Sequence, residues 1–148
     1  MEQARLDGIP DNYPLLFSYP GSKRRLLPVL MPIIAKTRAT EIACPFLGGG
    51  SVEMRCMSYG IRVLANDLYE PLVNFWRQAQ DNRAELMEKL ALYCHLDKGV
   101  VNGIRAIYLY GADGGPDKLS DALRAAHFFI CILAGYGSRP FNLSLIHI

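Results

Sequence analysis

Pro45-Phe46-Leu47-Gly48-Gly49-Gly50-Ser51 and the pair Asn66-Asp67 are the residues whose types and spacing best suit chemistry. The glycines follow a short apolar run, Glu41-Ile42-Ala43-Cys44, and lead into a stretch of helical character from Ser51. Asp67 closes a second run, Arg62-Val63-Leu64-Ala65. Strand, glycine turn, helix, strand and acid form the layout of a Rossmann-type cofactor site. There the glycines admit the ligand close to the backbone, and the acid takes ribose hydroxyls. The pattern is Gly-Gly-Gly-x-x-Glu instead of Gly-x-Gly-x-x-Gly, which argues against a pyrophosphate-bearing dinucleotide. A nucleoside cofactor without phosphates, S-adenosylmethionine, fits better.

Each motif has a plainer reading. A glycine cluster also marks an ordinary loop. Asp67 could instead cap a helix beginning near Glu70. An NAD- or nucleotide-binding domain would use the same loop and the same acid. The strand before the glycines, the helix after them and the acid at the next strand end favour the cofactor reading. Lys23, Arg24 and Arg25 stand at or just before a helix start, where each cation opposes the helix dipole at a cost of about 0.3–1 kcal/mol. Such a cluster is better explained if it meets an anion, although a solvated turn would also accommodate it.

Three segments together carry a family resemblance. Phe17-Ser18-Tyr19-Pro20-Gly21-Ser22-Lys23, then Pro45 to Val52, then Asn66-Asp67-Leu68-Tyr69-Glu70-Pro71-Leu72-Val73-Asn74-Phe75-Trp76 closely resemble the amino-terminal half of the Dam-like (D12 class) adenine-N6 DNA methyltransferases. The close match covers residues 17 to about 78 and continues weakly through 118–142. The resemblance implies a Rossmann-like α/β fold that transfers a methyl group from S-adenosylmethionine to adenine N6 in duplex DNA, with the target base flipped out. It implies cofactor contacts from Tyr19, Gly21, Lys23, Pro45, Phe46, Gly48, Gly49, Gly50 and Asp67, with Lys23 at the carboxylate end. Arg24 and Arg25 become candidates for DNA contact. Position 69 is Tyr where the family often has Asn.

The family's catalytic motif, Asp/Asn/Ser-Pro-Pro-aromatic, is not found, since Pro-Pro occurs nowhere. Ser138-Arg139-Pro140-Phe141 misses it by one residue and is read as coincidence, so the catalytic residues stay unassigned. The sequence reading therefore expects an amino-terminal fragment, with 143–148 a non-native tail. The alternative is a non-catalytic S-adenosylmethionine-binding module.

The 148 residues, 51% hydrophobic and 20% charged, suit one globular domain. A net charge of +2 does not by itself announce DNA, so any basic groove must be local. Cys44, Cys56, Cys94 and Cys131 form no close pair and read as buried free thiols in a reducing cytoplasm. His95, His127 and His147 lack metal-ligand spacing, so no metal is expected, and the longest strongly apolar stretch, Phe128 to Ala134, falls well short of the ~20 residues of a membrane span. Oligomeric state, recognition site and any restriction-modification role are not legible.

The elements that must position these residues can be read from periodicity. Residues 1–16 form a polar lead-in, 17–80 the cofactor-binding part and 81–142 a helical region leading towards target recognition. Leu26, Leu27, Leu30, Ile33 and Ile34 have helical spacing, with Pro28 in a first turn and a kink or early stop near Pro32. Strands are expected at 41–44 and 61–65, and helices at 51–58 and from Glu70, the latter with Leu72, Val73, Trp76 and Ala79 inward. Asn82 with Glu85 suggests a capped helix carrying Met87, Leu90, Ala91 and Cys94 as its stripe. A further helix fits Val101, Ile104 and Tyr108, and Ser120 caps a last one over 121–134. Trp76, Phe75 and Phe128 to Ile130 read as core and not as base-stacking aromatics. The whole predicts an incomplete parallel sheet with a helical insertion.

Overall fold

The structure, a computed structural model, describes residues 16–134. Most of the polar lead-in, the tetrapeptide at 138–141 and the tail at 143–148 lie outside the described residues. The chain forms two compact units, the first ending at Leu68 and the second beginning at Tyr69.

The first unit opens with a 3-10 turn, Arg24–Leu26, that runs into α1, Leu27–Thr37. Pro28 sits in the first turn of α1, where a missing N–H costs nothing. Of the kink or early stop expected near Pro32, the stop does not occur: the helix carries Pro32 inside it and runs on to Thr37, forfeiting the bond to the carbonyl of residue 28. Arg38, in the left-handed region at φ 55°, ends the helix. Strand β1, Glu41–Cys44, then pairs in parallel with β2, Arg62–Ala65, and α2, Ser51–Ser58, makes the crossover. Glu41 faces Arg62 and Cys44 faces Ala65, which fixes the register. An ion pair of 3.0 Å between Arg62 and Glu41 closes the amino ends of both strands. Ile42 and Cys44 are half-buried while Glu41 and Ala43 are exposed, the alternation of a sheet covered on one face. Ile61, just before β2, is buried.

The second unit consists of α3 (Glu70–Asp81), α4 (Arg83–Ala91), α5 (Lys98–Tyr110) and α6 (Asp121–Ala134). Two 3-10 turns, Ala112–Gly114 and Pro116–Lys118, occupy the expected loop before α6. The core gathers on α6, where Ala125, Ala126, Phe128 and Cys131 are fully buried. Phe75 stacks on Phe129 at 5.3 Å between centroids, and Tyr69 meets Phe128 edge-on at 6.2 Å. Phe75, Phe128 and Ile130 are buried in the core, as their spacing predicts, while Trp76 and Phe129 are half-buried. Ser120, the expected cap, accepts from Leu123 N–H at 3.3 Å, and Asp97 caps α5 by accepting from Val100 N–H at 2.8 Å.

Four local expectations change. On α3 the buried residues are Leu72, Asn74, Phe75 and Gln78, with Val73, Trp76 and Ala79 only half-buried. The inward line is shifted because Asn74 is drawn in by its bond to the Asp121 carbonyl at 2.8 Å. Asn82 makes no side-chain cap, because its amide donates to Gln78 Oε1 at 3.0 Å. On α4 it is Leu86 that is buried, while Met87 is exposed. Cys94 lies in the turn beyond α4 and is exposed, so the thiols are not uniformly buried.

Candidate cofactor site

The carboxyl ends of β1 and β2 bring the sequence-selected residues together. Leu47 N–H donates to Asn66 O at 2.8 Å, and Asn66 N–H to Cys44 O at 2.9 Å, so the parallel pairing extends into both loops. Gly48 N–H then donates to Asp67 Oδ2 at 2.9 Å. This bond ties the glycine turn to the end of β2 and orients the carboxylate beside the turn. Asp67 does not cap α3, which follows Tyr69 in extended conformation without a side-chain cap.

The glycines are needed here for two reasons. Gly48 and Gly50 have φ of 52° and 69°, the left-handed region that side chains resist. At Gly49 space is the constraint, since a Cβ would stand 3.0 Å from the Tyr19 Cβ. Tyr19 thus lies directly over the turn, braced edge-on by Phe17 at 6.2 Å. Burial pushes its phenol pKa up, and the Asp67 charge adds to the rise. Gly50 is the residue before α2, so the first amides of that helix open beside the turn.

The Tyr19 to Lys23 segment reaches the same place from the other side. Ser22 Oγ lies 3.5 Å from Ser51 Oγ, at the first residue of α2. Lys23 folds its ammonium onto the Gly21 carbonyl at 2.7 Å and is exposed. Arg24 and Arg25 occupy the exposed 3-10 turn, and the Arg24 N–H points to Ser22 Oγ at 3.4 Å. Pro45 and Phe46 are exposed too, Phe46 by 85%.

Glu53 is a site residue that sequence reasoning missed. It belongs to the Gly-Gly-Gly-x-x-Glu pattern, yet only 7% of it is exposed. The Cys44 thiol hydrogen-bonds its carboxylate. Burial first, then the Glu53 charge and this bond, push the thiol pKa up to about 12. Spacing showed an acid at the third position of α2 but gave no sign that it turns inward. Among the described residues, no group of three or more His, Cys, Asp or Glu side chains could hold a metal. No described helix is long and apolar enough to cross a membrane.

A glycine turn between a parallel strand and a helix, with an acid on the neighbouring strand end, is an arrangement that can receive a nucleoside cofactor. Residues 19–128 match the D12 class N6 adenine-specific DNA methyltransferase family, and the chain belongs to it. Its members are methyltransferases, and DNA is the substrate the family implies. No solved structure matches the chain. The fold is mixed helix and strand, with a small parallel sheet of two strands among the described residues.

Proposed function

We propose that this chain binds S-adenosylmethionine at the Gly48–Gly50 turn and serves its use in methylating adenine N6 in DNA. The bond from Gly48 N–H to Asp67 carries the reading, because it sets an oriented acid beside the glycine turn. The residues fit the group. The turn accepts close approach where side chains are missing, and the anionic Asp67 suits ribose hydroxyls and repels a 2′-phosphate. Lys23 and the first amides of α2 are suited to the cofactor carboxylate, with Tyr19 and Gly21 on the same side. Pro45 and Phe46 offer an apolar wall. When bound, the cofactor supplies an electrophilic methyl group on a sulfonium.

In this reading the β1–α2–β2 unit is the start of a Rossmann-like methyltransferase sheet, and the second unit is its helical insertion. Arg24 and Arg25 are proposed DNA contacts, and the free cysteines suit a reducing cytoplasm. The acceptor motif that would hold the adenine amine is not in this sequence, so the chain's own share of the chemistry is to hold and orient the methyl donor. Calorimetric titration with S-adenosylhomocysteine and with NAD tests the cofactor class. Binding of the first with no heat from the second is expected, and the reverse order would overturn the proposal. Labelled methyl transfer to adenine-containing DNA then reports whether the chain alone completes the reaction.

A further inference from the structure

Glu53 poses an electrostatic problem that the family reaction can solve. The first unit has three acids among its described residues: Glu41, Glu53 and Asp67. Glu41 is spent on Arg62 at the opposite, amino ends of the strands. Asp67 holds Gly48 N–H. Glu53 is more than nine-tenths buried, and no described lysine or arginine pairs with it. A glutamate at the third helical position often turns back to accept the amide before the helix. Here that amide, Gly50 N–H, already donates to Leu47 O at 3.0 Å. The one donor the described residues give the Glu53 side chain is the neutral Cys44 thiol. A largely buried carboxylate with no cation beside it among the described residues is a candidate to meet a charged ligand.

Its position says which cation. Glu53 stands in the first turn of α2, three residues past Gly50, and Cys44 is the last residue of β1. The ligand end that meets this turn is the one opposite the ribose. In S-adenosylmethionine that end is an amino acid, with an ammonium beside the carboxylate assigned above to Lys23. We infer that Glu53 is a cofactor-contacting residue that receives the ammonium of the aminocarboxypropyl arm. The Cys44 thiol holds the carboxylate in place from below. The inference rests on the proposed cofactor reading and adds a residue that discriminates the amino-acid arm from the nucleoside.

The test uses the full chain, Glu53→Gln, and two probes. S-adenosylhomocysteine carries the amino-acid arm, and 5′-methylthioadenosine has the same nucleoside without it. Glutamine keeps an acceptor for the Cys44 thiol, and a thermal melt checks that the variant folds. The variant should bind S-adenosylhomocysteine at least about tenfold more weakly, the scale of one lost hydrogen bond to a charged group. Its affinity for 5′-methylthioadenosine should stay within about twofold of the parent. Equal losses for both probes, or no loss for either, would overturn the role of Glu53 while leaving the cofactor reading intact. Failure of the parent chain to bind either probe would overturn both. Glu53→Asp, which retains charge on a shorter arm, should recover part of the preference for S-adenosylhomocysteine.

Discussion

Replacing Asp67 separates what its carboxylate does for the fold from what it does for a ligand. Within the protein it accepts Gly48 N–H at 2.9 Å in a part-buried setting. A hydrogen bond to a charged group is worth about 1.5–3 kcal/mol. Gly48 is itself only half-buried, so water can partly replace the lost acceptor. Asp67→Ala should therefore lower unfolding stability by about 1–2 kcal/mol. The ribose contacts add a second loss of about 1.5–3 kcal/mol in binding, or one to two decades in S-adenosylhomocysteine affinity. Asp67→Asn splits the two effects. Its amide oxygen still accepts from Gly48, so stability should stay within about 0.5 kcal/mol of the parent. Its lost charge should still weaken binding by about tenfold. Urea melts and calorimetric titration of all three proteins at one pH and ionic strength read both quantities. If Asp67→Asn binds as tightly as the parent while Asp67→Ala is merely less stable, the carboxylate is a structural tie, and the assignment of ribose to it fails.

Three further outcomes follow from the geometry. Gly49→Ala should cost about 1–3 kcal/mol in a urea melt, because the new methyl must displace Tyr19 from 3.0 Å; an unchanged midpoint would show that Tyr19 moves freely. Burial holds His127 at a pKa of about 4, below its ordinary 6.5, so between those values the unfolded chain binds a proton that the folded chain refuses. Stability should be complete above about pH 6.5 and fall as the pH drops towards 4, by up to about 3 kcal/mol from this group. His127→Gln should flatten that part of the stability profile, and an unaltered slope would refute the assignment. Cys94 should react first with a thiol reagent at neutral pH, and Cys44, Cys56 and Cys131, all raised by burial, should lag; mass spectrometry of partly labelled protein checks the order.

The parts of the fold that could be read in advance are those where local pattern and tertiary demand agree. Glu41–Cys44 and Ser51–Ser58 fall on the anticipated residues because a glycine turn punctuates them on one side and a change of period on the other. The Asp121–Ala134 helix was legible through Ser120 and an apolar run too regular for a loop. Where side chains choose between partners, the pattern misleads. Asn82 has the position of a cap but bonds Gln78, and Asn74 is drawn inward by a backbone carbonyl 47 residues away. Pro32 signals a stop that a single lost bond does not enforce. In the site, the glycines and Asp67 carry their chemistry in their types and spacing. Glu53 does not, since an acid early in a helix looks solvent-facing until the packing of Cys44 against it is known.

One buried ring has a consequence for how the helical unit opens. His127, on α6, lies 2.6 Å from the Tyr93 hydroxyl through Nε2 and 3.4 Å from the Tyr108 hydroxyl through Nδ1. Tyr93 lies in the turn after α4 and Tyr108 belongs to α5, so one imidazole joins α6 to α5 and to that turn. A neutral imidazole donates from one nitrogen and accepts at the other, so the two phenols play opposite roles and the ring cannot flip without breaking both contacts. Lifting α5, α6 or the turn after α4 breaks at least one of these two contacts. Amide hydrogens in the middle of α5 and α6 and in the last turn of α4 should therefore exchange with solvent as a single cooperative group, instead of one helix at a time.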